Sequence, residues 1–110
     1  MCQRLHGSQG AHSKADKSDI VMIEDRGLKW YASSKRAERG FCAQCGSSLF
    51  WRPVDQPGMG ILAGTLDQPT GLKTIGHIFV GEKADFLEID GDDAPQFESS
   101  SHGKIAGDEL

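Results

Sequence analysis

Two of the chain's three cysteines fall in the stretch Gly40–Trp51, GFCAQCGSSLFW. Their spacing is C-x-x-C, a glycine follows the second, and an apolar, aromatic run follows that. Between them these features demand a tight turn that presents both sulfurs. They also demand an extended segment leaving it, SSLFWRP (Ser47–Pro53), which proline stops. A redox C-x-x-C normally opens a helix, where the N-terminus lowers a thiol pKa; no helical period follows here. Structural zinc is usually held by four ligands, and two cysteines three apart on a turn offer two of them to one ion. Gly46 gives the turn the left-handed backbone it wants. Cys42 and Cys45 therefore read as half of a zinc site, with a redox pair and two plain thiols as the alternatives. The other possible ligands are Cys2, His6, His12, His77 and His102, none of which has a partner at ligand spacing.

The rest of the chain reads as short strands between Gly, Pro and Asp turns. DIVMIE (Asp19–Glu24) and LKWYAS (Leu28–Ser33) are expected to form a hairpin across DRG. MGILAGTL (Met59–Leu66), IGHIFV (Ile75–Val80) and ADFLEID (Ala84–Asp90) are expected to be further strands, the last with a brief helical turn as its alternative. Residues 1–19 are polar and read as a loop with one short helix at most. The sum is a mainly antiparallel β architecture. Trp30, Phe50, Ile61, Leu62, Ile78 and Phe79 are the expected core. Lys35, Arg36 and Arg39 form a basic cluster that reads as solvated surface, or as a site for an acidic carboxylate.

With 110 residues the chain fits one domain. Hydrophobic residues make up only 37% and glycines number 14, which suits a turn-rich β fold or one stapled by something else. A net charge of −4 without a basic run argues against nucleic acid as a partner. No apolar stretch is long enough to span a membrane, and the N-terminus lacks the apolar segment of a signal peptide. Three cysteines are too few for a disulfide framework. The expected setting is cytoplasmic, with thiols reduced. Oligomeric state is not readable from the sequence.

GLKWYASSKRAERGFCAQCGSSLFW, followed by GILAGTLDQPTGLKTIGHIFVGEKADFLEIDGDDAPQF, resembles the glutathione-dependent formaldehyde-activating enzyme (Gfa-like) family, which shares its domain with centromere protein V. The likeness runs from residue 1 to about residue 98, leaving residues 99–110 as a polar tail. It implies an Mss4-like fold of short antiparallel strands around a zinc-knuckle C-x-x-C. It also implies carbon–sulfur lyase chemistry on a glutathione–formaldehyde adduct. In the family an upstream C-x-C joins the later C-x-x-C on a structural zinc. A second motif, C-x-C-x-x-C, holds a catalytic zinc through three thiolates. The resemblance makes Cys42 and Cys45 the structural pair, and makes Cys2, in MCQRLHG, the remnant ligand of the catalytic zinc. The other cysteines of both motifs are missing, so the resemblance implies an N-terminally truncated member with partial or absent zinc and impaired activity. A three-thiolate zinc with an open fourth position is a Lewis acid, and a lone Cys2 cannot supply that chelation.

Two other functions compete with this one. A non-catalytic zinc-binding or interaction module of the same fold needs no complete catalytic site. A methionine-sulfoxide-reductase-like enzyme would share the fold type and the C-x-x-C, but it wants a further cysteine in a late strand, and none follows Cys45.

Overall fold

The computed structural model describes residues 2–7, 9–89 and 93–99. These form two compact units: Gly10–Gln68, and a second unit drawn from the residues before Gly10 and after Gln68.

The first unit is one five-stranded sheet. Its strands are β1 (His12–Asp16), β2 (Leu28–Ala32), β3 (Ala37–Cys42), β4 (Ser48–Pro53) and β5 (Gly58–Leu62). Their order across the sheet is β1-β5-β4-β3-β2, and every neighbouring pair is antiparallel. Strands β2 to β5 are a meander, in which each strand pairs with the next through a short connection. The expectation of a mainly antiparallel β fold holds.

Register shows what the sheet packs. Trp30, Gly40, Phe50, Ile61 and Ser13 lie in one cross-strand row. Gly40 sits in the middle strand of that row's aromatic half and is buried. Its missing side chain lets Trp30 and Phe50 stack across β3, with ring centroids 6.0 Å apart and planes 23° from parallel. Arg52 lies with its guanidinium 3.6 Å over the Trp30 ring and donates to its cross-strand partner Glu38 at 3.0 Å. That pair is about a third exposed on each side, so its contribution is positional more than energetic.

The apolar core is small. Ala37, Met59 and Leu62 are the buried hydrophobic residues among those described. Trp30, Phe50 and Ile61 are half-buried.

Several expected strands are absent. Ile20–Glu24 joins no strand ladder among the described residues, and Val21 and Ile23 are 80% and 96% exposed. A run apolar at consecutive positions suits a strand covered on both faces; this segment has no partner strand, and propensity alone does not make a ladder. The hairpin partner of β2 is β3 instead. In the opposite sense, HSKAD forms β1, where a loop was expected. It extends the sheet beside β5, and Lys17 N–H continues the ladder to the Pro57 carbonyl at 2.8 Å.

Among its described residues, the second unit holds a short helix, α1 (Cys2–His6), with turns and irregular chain elsewhere. IGHIFV is not a strand. His77 makes one parallel bridge to Gln96, and Phe79 adopts a left-handed backbone (φ 55°) before a 3₁₀ turn at Val80–Glu82. Ile78 and Phe79 are about half exposed and are not core. Segments 77–80 and 95–99 are joined by backbone bonds, including Phe97 N–H to the His77 carbonyl at 2.7 Å. In ADFLEID the described residues form a turn, closed by Leu87 N–H to the Ala84 carbonyl at 3.1 Å. Asp90 and most of the polar tail lie outside the described residues.

His12 gives the sheet a pH response. Packing against the sheet strips part of the water from its imidazole, and the Arg39 charge adds to the effect; together they hold its pKa below the ordinary 6.5. The residue as a whole stays exposed, so the effect is modest. Because the folded pKa is depressed, the folded state binds the proton less readily than the unfolded chain does. The contribution is fully present above about pH 6.5 and is lost as the pH falls through the lowered value. Urea midpoints recorded from pH 8 to 5 are expected to fall on acidification, and the His12→Gln chain is expected to show a shallower fall. Equal slopes in the two proteins would remove His12 from the account.

Candidate metal centre

Strand β3 ends at Cys42 and β4 begins at Ser48, so the C-x-x-C occupies the β3–β4 turn. The strand expected after the C-x-x-C is found, and a second strand, β3, also leads into it. Three backbone bonds brace the turn. Gly46 N–H reaches the Cys42 carbonyl at 2.7 Å, Cys42 N–H reaches the Ser47 carbonyl at 2.9 Å, and Ala43 N–H reaches the Gly27 carbonyl at 2.8 Å. Gly46 has φ +80°, a conformation that side chains with a Cβ rarely adopt. A register shift between Gly40 and Phe41 puts a bulge just before the turn, the kind of irregularity that re-aims neighbouring side chains.

Both thiols are free; Cys42 is half-buried and Cys45 exposed. The Cys45 sulfur lies 3.1 Å from the Ser47 hydroxyl. That hydroxyl, then the Ser47 N–H, then the Cys42 thiol favour the thiolate and hold the Cys45 pKa below the usual thiol value. Ser47 is a partner that the spacing alone did not single out. The signal lay in the C-G-S sequence, a small hydroxyl two residues beyond the second cysteine.

Beside the knuckle lies an open groove lined by Met22, Leu28, Leu49 and Phe50, with Cys42 and Gln44 along one side. Glu24 and Arg26 also line it and pair through two contacts, at 2.8 and 3.1 Å. The Arg26 guanidinium thereby keeps the Glu24 carboxyl below its usual range. Two residues of the DIVMIE segment, Met22 and Glu24, thus line this groove.

Among the described residues, no third candidate ligand joins the cysteine pair in a metal-sized group. His12 is on β1, and β5 and β4 stand between it and β3, which at ordinary strand spacing is about 14 Å. His6 and His77 belong to the second unit. Cys2 opens α1, but its side chain lies outside the described residues, as does His102. The basic trio also divides. Lys35 and Arg36 occupy the exposed β2–β3 turn, whereas Arg39 is half-buried in β3 and acts on His12.

A family model, described as glutathione-dependent formaldehyde-activating enzyme, matches residues 1–82. The chain belongs to this family. No curated protein and no solved structure is significantly similar to it. A Gfa-type chain has a glutathione- and formaldehyde-related function, and the resemblance drawn from the knuckle and the flanking strands is correct.

Zinc, which the resemblance implies, fits only in part. Two thiols on a braced turn are the right donors, but a closed zinc site needs four ligands. Among the described residues no group of three or more His, Cys, Asp or Glu side chains is placed to share a metal ion. The described residues therefore form half of a site, and no catalytic step through a metal follows from them. Among those same residues, no helix is long and apolar enough to cross a membrane.

Proposed function

We propose that this chain is a zinc-binding Gfa-type domain of Mss4-like fold, directed at the adduct of formaldehyde with a small thiol such as glutathione, and that alone it does not turn that adduct over. The observation that carries the reading is the family match over residues 1–82. Zinc as the metal is supported by the Cys42–Cys45 knuckle, with its positive-φ Gly46 and its Ser47 brace.

The lack of turnover rests on ligand arithmetic. The family's two zinc sites call for a four-thiolate set and a three-thiolate set, and a chain with three cysteines cannot furnish both. The same count favours the second reading, a zinc-binding module that interacts without catalysing. Carbon–sulfur lyase chemistry is then what the family does, and the cytoplasm, where thiols stay reduced, is the setting it requires.

The test is a rate. Formation of the glutathione–formaldehyde adduct, followed by proton exchange NMR with the zinc-supplied chain present, is expected to match the uncatalysed rate. Acceleration of about tenfold or more, worth roughly 1.4 kcal/mol of barrier, would overturn the reading of an inactive chain.

A further inference from the structure

Strand β2 is an edge of the sheet, and its outer side is open. The Gly27 carbonyl accepts from the Ala43 N–H at 2.8 Å, which sets the phase of the β2–β3 ladder. Antiparallel alternation then turns the backbone groups of Lys29 and Tyr31 toward β3, and those of Leu28, Trp30 and Ala32 outward. Leu28 spends its outward N–H on the Asp25 carbonyl, at 3.0 Å. Among the described residues, no backbone group meets the outward groups of Trp30 and Ala32.

The bond from Leu28 to Asp25 is the closing bond of a two-residue hairpin whose loop is Arg26–Gly27. Continued from that turn, the register puts Glu24 opposite Lys29, Ile23 opposite Trp30, Met22 opposite Tyr31 and Val21 opposite Ala32. Ile23 and Val21 thus fall on the two residues whose backbone groups are open. The side chains also suit each other: carboxylate meets ammonium, β-branched residues meet Trp30 and Ala32, and Met meets an aromatic ring. The strand is nevertheless unformed, and its turn gives the reason. Neither Arg26 nor Gly27 has a positive φ, and two-residue turns without it splay the strands they join. Glu24 then accepts from Arg26, from the backbone N–H at 3.0 Å and from the guanidinium at 2.8 and 3.1 Å. Both side chains are mostly exposed, so this latch is weak.

We infer that residues 20–24 are a strap with two positions: peeled away, with Met22 and Glu24 lining the groove beside Cys42, and closed on the outer edge of β2 as a sixth strand. Closing the strap satisfies the open edge and covers part of Val21 and Ile23, which the peeled position leaves 80% and 96% exposed. It also withdraws Met22 and Glu24 from the groove, so the state of the edge and the opening of the groove change together. The hand of the Arg26–Gly27 turn is the control point. Neither position needs a metal at the cysteines.

Arg26→Asn tests this. Asn-Gly takes the positive-φ turn that hairpins prefer, and the change removes the latch; Arg26 is exposed, so the fold is not at risk. In that chain the Trp30 and Ala32 amides are expected to exchange with deuterium at least about tenfold more slowly than in the wild type. Hα–Hα cross-peaks are expected for Glu24–Lys29 and Met22–Tyr31, the close, non-hydrogen-bonded pairs of this register. Adding Ile23→Pro removes the N–H that the Trp30 carbonyl would accept, and should restore fast exchange. In the wild type, relaxation dispersion is expected at residues 21–24, with a minor state whose shifts match the Arg26→Asn chain. Fast exchange at Trp30 and Ala32 in Arg26→Asn, or a wild type without that minor state, would overturn the inference. So would slow exchange accompanied by a doubled mass in sedimentation velocity, because the added strand would then come from a second copy.

Discussion

Exchanging Cys45 for serine is expected to lower the chain's affinity for zinc by more than about 100-fold, a larger loss than the 10–100-fold typical of removing a residue that merely supports a ligand. The turn has two donors and no third within the described residues, so losing one leaves a single thiolate with no chelate partner. The substitution is close to isosteric, and Cys45 is exposed, so the fold should be unaffected. Ser47, 3.1 Å from the Cys45 sulfur, should then matter less, because no thiolate remains for it to stabilise. Competition against a chromophoric chelator at pH 7 measures the loss. Acidification should weaken the wild-type chain as well, because zinc binding must displace the thiol protons. Equal affinities for the wild-type and Cys45→Ser chains would mean that zinc sits elsewhere.

The second large effect is on stability. Gly40→Val is expected to destabilise the sheet by about 3 kcal/mol, lowering the thermal midpoint by roughly 10 °C or more. A Cβ at Gly40 would lie 3.0 and 3.1 Å from the Trp30 ring carbons and 3.2 Å from the Leu28 Cδ1. Those contacts are too close, and Trp30 cannot retreat freely while it stacks on Phe50 and carries Arg52 on its face. Valine is otherwise a good strand residue, so a fall in stability isolates the packing conflict. Gly40→Ala is expected to cost less, about 1 kcal/mol, because one methyl needs a smaller shift. An unchanged midpoint for the valine variant, followed by circular dichroism, would contradict the role given to the Trp30–Phe50 stack.

These two residues also mark what the sequence made readable. The knuckle announced itself because its requirements are local: two sulfurs three apart, a glycine where φ is positive, and a strand beyond. Strands β4 and β5 followed from their own apolar runs and bounding turns. Gly40 gave no such signal, because its importance lies across the sheet, between side chains ten residues away on either strand. β1 was hidden for a related reason. HSKAD is polar and half-exposed, and backbone bonding to β5 makes it a strand without any apolar period.

The errors ran the other way for DIVMIE and IGHIFV. Both carry strong strand propensity, but a strand also needs a neighbour. The first lacks one within the described residues and lines a groove instead. The second is interrupted by the left-handed Phe79 and keeps a single bridge at His77. Among the described candidate ligands, the pair fixed by one turn is joined by no third in a metal-sized group. The histidines are candidates by residue type alone, and nothing in their spacing commits them to a common site.

The most direct test of the central claim, that Cys42 and Cys45 are half of a zinc site, is the zinc content of the purified reduced chain, measured by plasma mass spectrometry against protein concentration. The account predicts bound zinc at clearly less than two ions per chain. Two tightly held zinc ions per chain, or none, would contradict it.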